Sequence, residues 1–354
     1  MKFLSISFIV LTLLISLRFF STQPVYKNGD FVRITSRVYT EPIIYDKQQY
    51  LKLQGLKIYL PKYPEITYGD RIIIQGVVGG NRLDNAKLIE INTENKNLLL
   101  KFRLKLISLY KSSLSEPYSS LVAGVTIGSK NMPAVFWEKL KSTGTAHIVV
   151  ASGTNVTMLA TFLISTLTYF FNRKHAVFMT LAGIFVYVVL SGFDAPIIRA
   201  GIMGSIAFLA QYKGRLVNSW RLLIYSAGIM LLIKPIWITD LGFILSFVAT
   251  MSLMLFQKRI NDKLKFVPNI LREGLSTSLA AQIGVAPIIY ATFGQFNLLS
   301  PIINALILWT IPYIMILGAS GGIVGLIVPL VGRLILFILF PFLIWFTKIL
   351  DLFS

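Results

Sequence analysis

The alternation of apolar and polar positions divides the chain into three regimes. Residues 3–20 form one apolar run. Residues 27–96 show short alternating stretches broken by turn residues, and from 144 onward apolar segments recur near 145–171, 176–192, 197–211, 222–233, 236–256, 275–293, 300–318 and 321–350. A helix that crosses a bilayer needs about 20 predominantly apolar residues, so the first and third regimes predict about eight or nine apolar helices. The middle regime, rich in Tyr, Ile and Val, predicts roughly five β-strands. Two of its pieces resemble each other, Gly29–Ile34 and Gly69–Gly76, each a tight turn leading into a strand. A small barrel of the OB kind is the economical choice there, because closing a sheet removes its exposed edges.

Between these regimes the chain is amphipathic. NLLLKFRLKLISLYKSSLS at 97–115 sets Lys101, Arg103, Lys105 and Lys111 among leucines, as expected of a basic helix along a membrane surface. A second such segment, 133–144, leads into the bundle. The resulting domain plan is an anchor at 1–22, an OB-like domain at 27–96, linker helices at 97–143 and a transmembrane bundle at 144–354. No A-x-A-like site follows residues 3–20, which favours an uncleaved anchor over a signal peptide.

Composition agrees with that plan. Of the 354 residues, 55% are hydrophobic and mean hydropathy is +0.70, which marks an integral membrane protein. The absence of cysteine excludes disulfides and thiolate metal sites, and two histidines leave little scope for zinc, so neither metal nor cofactor is expected. No phosphate-cradling P-loop appears either, so active transport would need a separate motor.

Charge assigns sides. The 34 Lys and Arg outnumber the 15 Asp and Glu, giving +19. Loops at 172–175, 212–221 and 257–273 carry ten of these cations, while the alternate loops near 193–196, 234–235 and 294–299 carry only Lys234. Cytoplasmic loops collect Lys and Arg. The expected arrangement is therefore a multi-pass protein of the inner membrane with a cytoplasmic N-terminus and an extracytoplasmic β-domain. So large an excess also suits a polyanionic partner or anionic lipid.

Polar residues inside the bundle are functional suspects, because hydrocarbon cannot hydrogen-bond them. They are His147, Ser152, Asn155, Arg199, Asp240, Ser246, Gln282, Gln295 and Asn304, with Gly153 beside Ser152 able to bend or break its helix. Asp194 and Asp240 are the candidate partners of Arg199 by charge, a salt bridge fastening helices being the plain alternative to a path-lining role. Ser152 with His147 raises an intramembrane serine hydrolase. Residues five apart on one helix point about 140° apart, however, and the string Val150–Gly153 lacks the leading glycine of the rhomboid signature, so no catalytic residue and no enzyme is expected. In the β-domain, Tyr39, Tyr45, Tyr50 and Tyr59 beside Arg33, Arg37, Lys52 and Lys57 could stack and neutralise a single strand, as OB barrels do.

Five segments resemble, in order, the competence domain of the ComEC family of DNA-uptake channel proteins. They are LVAGVTIGS at 121–129, TGTAHIVVASGTNV at 143–156, PIIRAGIM at 196–203, DLGFILSFVAT at 240–250 and the run from Ala281 to Asn304. The resemblance spans roughly 117–320. It implies passage of single-stranded DNA into the cytoplasm during natural transformation, with membrane lipids, a motor ATPase, a DNA receptor, a nuclease and further copies of the chain as partners. Two features depart from the family pattern. Asn155 stands where a second histidine is usual, and the sequence reaches Ser354 without the metallo-β-lactamase-like domain of many members. A transporter or export channel for another polymer or lipid-linked substrate is the alternative reading.

Overall fold

The computed structural model describes residues 12–21, 26–39, 41–45, 47–93, 97–150, 152–294 and 296–354. Of the expected anchor, a helix (α1) is described over Thr12–Ser21. Its remaining residues, and Gln295 among the candidates, lie outside the described residues.

The β-domain contains six described strands, β1 (Phe31–Arg37), β2 (Ile43–Ile44), β3 (Gln48–Leu53), β4 (Leu56–Pro61), β5 (Arg71–Gly79) and β6 (Arg82–Asn92). They form one sheet ordered β1-β5-β6-β4-β3-β2, antiparallel except for the β4–β6 pair. Strict alternation builds its core: Leu56, Ile58 and Leu60 of β4 are buried while Lys57 and Tyr59 between them face out. The two similar pieces are equivalent turns. Gly29 and Gly69 take φ of +94° and +93°, which glycine adopts without strain, and Asp30 and Asp70 accept from the backbone N–H of Lys27 and Thr67 at 2.9 and 2.7 Å. The strands they launch, β1 and β5, then pair with each other. The ladder ends at β1 and β2, so pairing among the described residues is that of a six-stranded mixed sheet and does not itself close the expected barrel.

The rest of the chain is helical. It begins with α2 (Leu98–Ser113), α3 (Tyr118–Ile127), α4 (Ala134–Ser142), α5 (Ala146–Val149), α6 (Gly153–Phe170), α7 (Arg173–Leu190), α8 (Ala195–Tyr212) and α9 (Ser219–Ile233). A 3-10 turn at Pro235–Thr239 leads to α10 (Leu241–Lys263), α11 (Asn269–Phe293), α12 (Ser300–Leu308), α13 (Ile311–Ile327), α14 (Pro329–Phe337) and α15 (Phe340–Phe353). Among the described residues four units are long and apolar enough to cross a membrane, namely α5 with α6, α7, α10 and α11. Counting the bent pairs α12–α13 and α14–α15 as single spans gives six among the described residues, with α1, α3 and α9 as shorter apolar helices beside them. The C-terminal breaks differ from the hydropathy boundaries because Pro301, Pro312, Pro329 and Pro341 each occupy the first turn of a new helix.

Packing corrects the amphipathic reading of α2. Lys101, Lys105 and Lys111 are exposed, but Arg103 is buried with Leu100, Leu106 and Tyr110 on the face turned toward α3, α7 and α13. A core from α2 to α15 holds the bundle together, and a separate one fills the sheet. The two units meet at a buried ionic knot. Glu41 receives both terminal nitrogens of Arg103, at 3.3 and 3.0 Å, and the Ser129 hydroxyl at 3.1 Å. Arg103 Nε donates to the Leu190 carbonyl at 2.7 Å, while Tyr68 donates to Val189 O at 2.9 Å. Burial pushes the Tyr68 hydroxyl up to about 12, against the opposing pull of Arg103.

Candidate functional site

The 143–160 segment does break. Helix α5 ends at Val149, and α6 starts at Gly153 with Ser152 as its extended N-cap residue. Non-helical backbone at membrane depth is tolerated where protein buries it or a cavity receives it. Ser152 Oγ donates to Asn155 Oδ1 at 3.2 Å, and the buried Asn155 passes its amide hydrogen to Val125 O of α3 at 3.1 Å. The buried hydroxyls of Tyr187 and Ser191 lie by this group, and neither completes a hydrogen bond among the described residues. His147 turns away, its exposed ring 3.0 Å from the Gly144 carbonyl through Nδ1. Ser152 thus engages an amide, and the interruption of the helix between the two residues replaces the single-helix geometry assumed from their spacing.

Arg199 of α8 lies against this break. A Cβ on Gly153 would stand 3.0 Å from Arg199 Nη2 and 3.3 Å from Ala200 Cβ, so glycine is what lets the guanidinium approach the start of α6. The partners of Arg199 are not the expected carboxylates. Asp194 pairs with Lys130 at 2.7 Å, and Asp240 with Lys52 at 3.5 Å while capping α10 through Phe243 N–H. Arg199 instead donates through Nη1 to the Ser246 carbonyl and the Thr250 hydroxyl of α10, with the guanidinium 5.8 Å above the Phe247 ring. Its Nε and the Ser246 hydroxyl have no partner among the described residues. The acids are drawn to lysines at the sheet side, which leaves the arginine among neutral acceptors.

A second polar group joins α11 to α12. Gln282 Nε2 donates to Ser300 Oγ at 3.2 Å and Asn297 O at 3.4 Å, and Asn304 Nδ2 to Ser278 Oγ at 2.8 Å, leaving Asn304 Oδ1 without a partner among the described residues. Asn297 then reaches the Ser142 carbonyl at 2.7 Å. The 142–153 segment thereby touches both polar groups, one at each end. Sequence reasoning missed Thr250, Tyr187 and Ser278. The first could have been found from its spacing, one helical turn beyond Ser246, whereas the others become visible only through contacts between helices. Among the described residues no group of His, Asp and Glu could hold a metal ion.

The structure also divides the residues proposed for the β-domain. Lys52 and Lys57 are register partners across β3 and β4, and Tyr50 and Tyr59 form the next outward pair, rings 5.2 Å apart. Burial raises the Tyr50 hydroxyl above its ordinary value, with Tyr59, Tyr45 and Asp240 adding to the effect, so all four gather at one place. Arg33 and Arg37 lie instead on β1, at the other end of the strand order, and Tyr39 just beyond it lies near Gly192.

A helical bundle with four to six candidate spans, a polar interior at a broken helix and a β-sheet domain on one end defines a multi-pass membrane protein. The chain belongs to the competence protein family, whose model matches residues 125–354 and so takes in every intramembrane candidate. It is 26% identical over 233 residues to ComE operon protein 3 of Bacillus subtilis (strain 168), a match covering 64% of this chain and 29% of that protein. No solved structure matches significantly.

Proposed function

We propose that this chain forms a path by which single-stranded DNA crosses the inner membrane into the cytoplasm, with the β-domain on the outer face. The observation that carries the reading is Arg199. It is a charge in the bundle interior, held by a carbonyl, a hydroxyl and a ring rather than by a carboxylate, beside a break at the N-terminus of α6. Cation and helix N-terminus present positive potential to the same place, which favours a passing phosphate. Family membership supports the polymer and direction. The OB-like reading of the β-domain gains support from its end strands, which are consecutive in the chain with only residues 38–42 between them, and from the parallel β4–β6 pair.

Four contacts support the sidedness. The cation-poor loop at 193–196 lies toward the sheet through Asp194–Lys130, whose N–H meets Glu41, and the turn that follows 234–235 does so through Asp240–Lys52, while Arg173 donates to Gln211 O at the opposite, basic end. Arg199 would not select DNA by sequence, so a path for another anionic polymer is the second reading.

The test is protection of labelled single-stranded DNA from added nuclease by proteoliposomes that contain a trapped single-strand-binding protein as a sink. Uptake that depends on the protein and falls at least tenfold in Arg199→Leu is the expected result. Equal protection in protein-free vesicles, or undiminished uptake in a stably folded Arg199→Leu, would sink the reading.

A further inference from the structure

Lys234 is an exception to the charge pattern, the only Lys or Arg in the three cation-poor loops at 193–196, 234–235 and 294–299. Its place in the fold supplies a reason. It ends α9 and is followed by the 3-10 turn, where its ammonium sits 5.6 Å over the ring of the half-buried Trp237. This turn lies under the hairpin joining β3 to β4. Ile236 Cδ1 is 3.9 Å from the place a Gly55 Cβ would take, and Lys52 reaches Asp240 across the junction at 3.5 Å. The outward face of that hairpin carries the Tyr50–Tyr59 pair and the Lys52–Lys57 pair.

We infer that Lys234 and Trp237 complete, with Tyr50, Tyr59, Lys52 and Lys57, one stacking platform for incoming single-stranded nucleic acid, built half from the sheet and half from the bundle. The inference rests on the function proposed above and adds the place where the strand passes from one unit to the other. Aromatic rings accept any base by stacking, and interleaved cations neutralise the phosphates between them. Asp240 is the one carboxylate in the group. It is committed to Lys52 and to the cap of α10, whereas Lys57 and Lys234 make no salt bridge among the described residues. The opposing reading of Trp237 and Lys234 is that of a membrane-interface anchor, an amphipathic ring and a snorkelling cation. An anchor would affect stability but would not touch the strand.

The experiment uses the full chain in nanodiscs and a fluorescent oligothymidylate, with affinity followed by anisotropy over a range of salt. Trp237→Ala weakens binding about tenfold and Trp237→Phe restores most of it, since loss of one stacked base is worth about 1–3 kcal/mol. Lys234→Gln lowers the slope of log affinity against log salt by about 0.7, the share of one single-strand phosphate. A photo-crosslinking benzoylphenylalanine at position 237 captures the oligonucleotide directly, so the conclusion does not depend on the alanine variant folding well. If the unaltered chain bound no oligonucleotide, the functional reading itself would fail. Were the unaltered chain to bind while both variants kept its affinity and salt slope and position 237 gave no crosslink, the bundle's half of the platform would be overturned and the anchor reading would stand.

Discussion

Single residues here are understood through what they leave unpaired. Arg103 is the clearest case, since its guanidinium is almost wholly buried and shared between Glu41 and the Leu190 carbonyl. Removing one partner of a buried pair strands the other charge, at a cost of about 3–5 kcal/mol. Arg103→Met should therefore lower thermal stability in detergent sharply, and the double variant Glu41→Met with Arg103→Met should recover much of the loss; an unchanged melting temperature in the single variant would contradict the account. Tyr68 in the same knot makes a pH prediction. Its folded value of about 12 exceeds the unfolded value of about 10, so the stability it contributes is complete below about pH 10 and is lost as pH rises toward 12. Tyr68→Phe should flatten that alkaline fall in a melting profile. Of the intramembrane candidates, Asn155 ties α6 to α3, and Asn155→Leu would leave Val125 O bare at a cost of about 1–3 kcal/mol.

At the scale of elements, small residues and prolines decide how the helices meet. Helix α13 carries Gly318, Gly321, Gly322 and Gly325, and a Cβ on Gly322 would come within 2.4 Å of the Tyr110 hydroxyl of α2, which itself donates to Gly318 O at 3.0 Å. Close helix approach through small residues is a recurrent membrane solution. Gly322→Val should destabilise by about 1–3 kcal/mol through overpacking, whereas Gly204→Val in α8, with nothing within 4 Å of its Cβ site, should have little effect. Matched melting curves of the two variants would decide this, and equal losses would refute it. The same elements show where pattern reading stopped short. Apolar runs at 300–318 and 321–350 read as continuous because hydropathy does not register a proline at a helix start. The prolines themselves locate the breaks better than the hydropathy boundaries do.

For the whole molecule, the organising feature is a sheet domain fixed to one end of a bundle through Glu41, which meets Arg103 and the Lys130 N–H, and through Lys52 and Tyr68. That end faces outward if the basic loops are cytoplasmic. The chain contains no cysteine, so single substitutions can report sidedness cleanly. In spheroplasts, a membrane-impermeant maleimide should label Lys57→Cys at once and Lys174→Cys only after permeabilisation. The reverse pattern would invert the proposed topology and with it the direction of transport.

The sequence by itself determined the membrane character, the three regimes, the equivalent Gly-Asp turns and the family resemblance. These depend on composition and local periodicity, which each segment carries alone. Only the tertiary structure decided which polar groups meet. Asp194 and Asp240 suited Arg199 by charge, yet they pair with lysines, and Arg199 turns to Ser246 and Thr250, 47 and 51 residues away. Arg103 read as a surface cation until Glu41, 62 residues earlier, was placed beside it. The physical reason is that helix crossings and domain docking set such pairings, and no local pattern specifies which faces will touch.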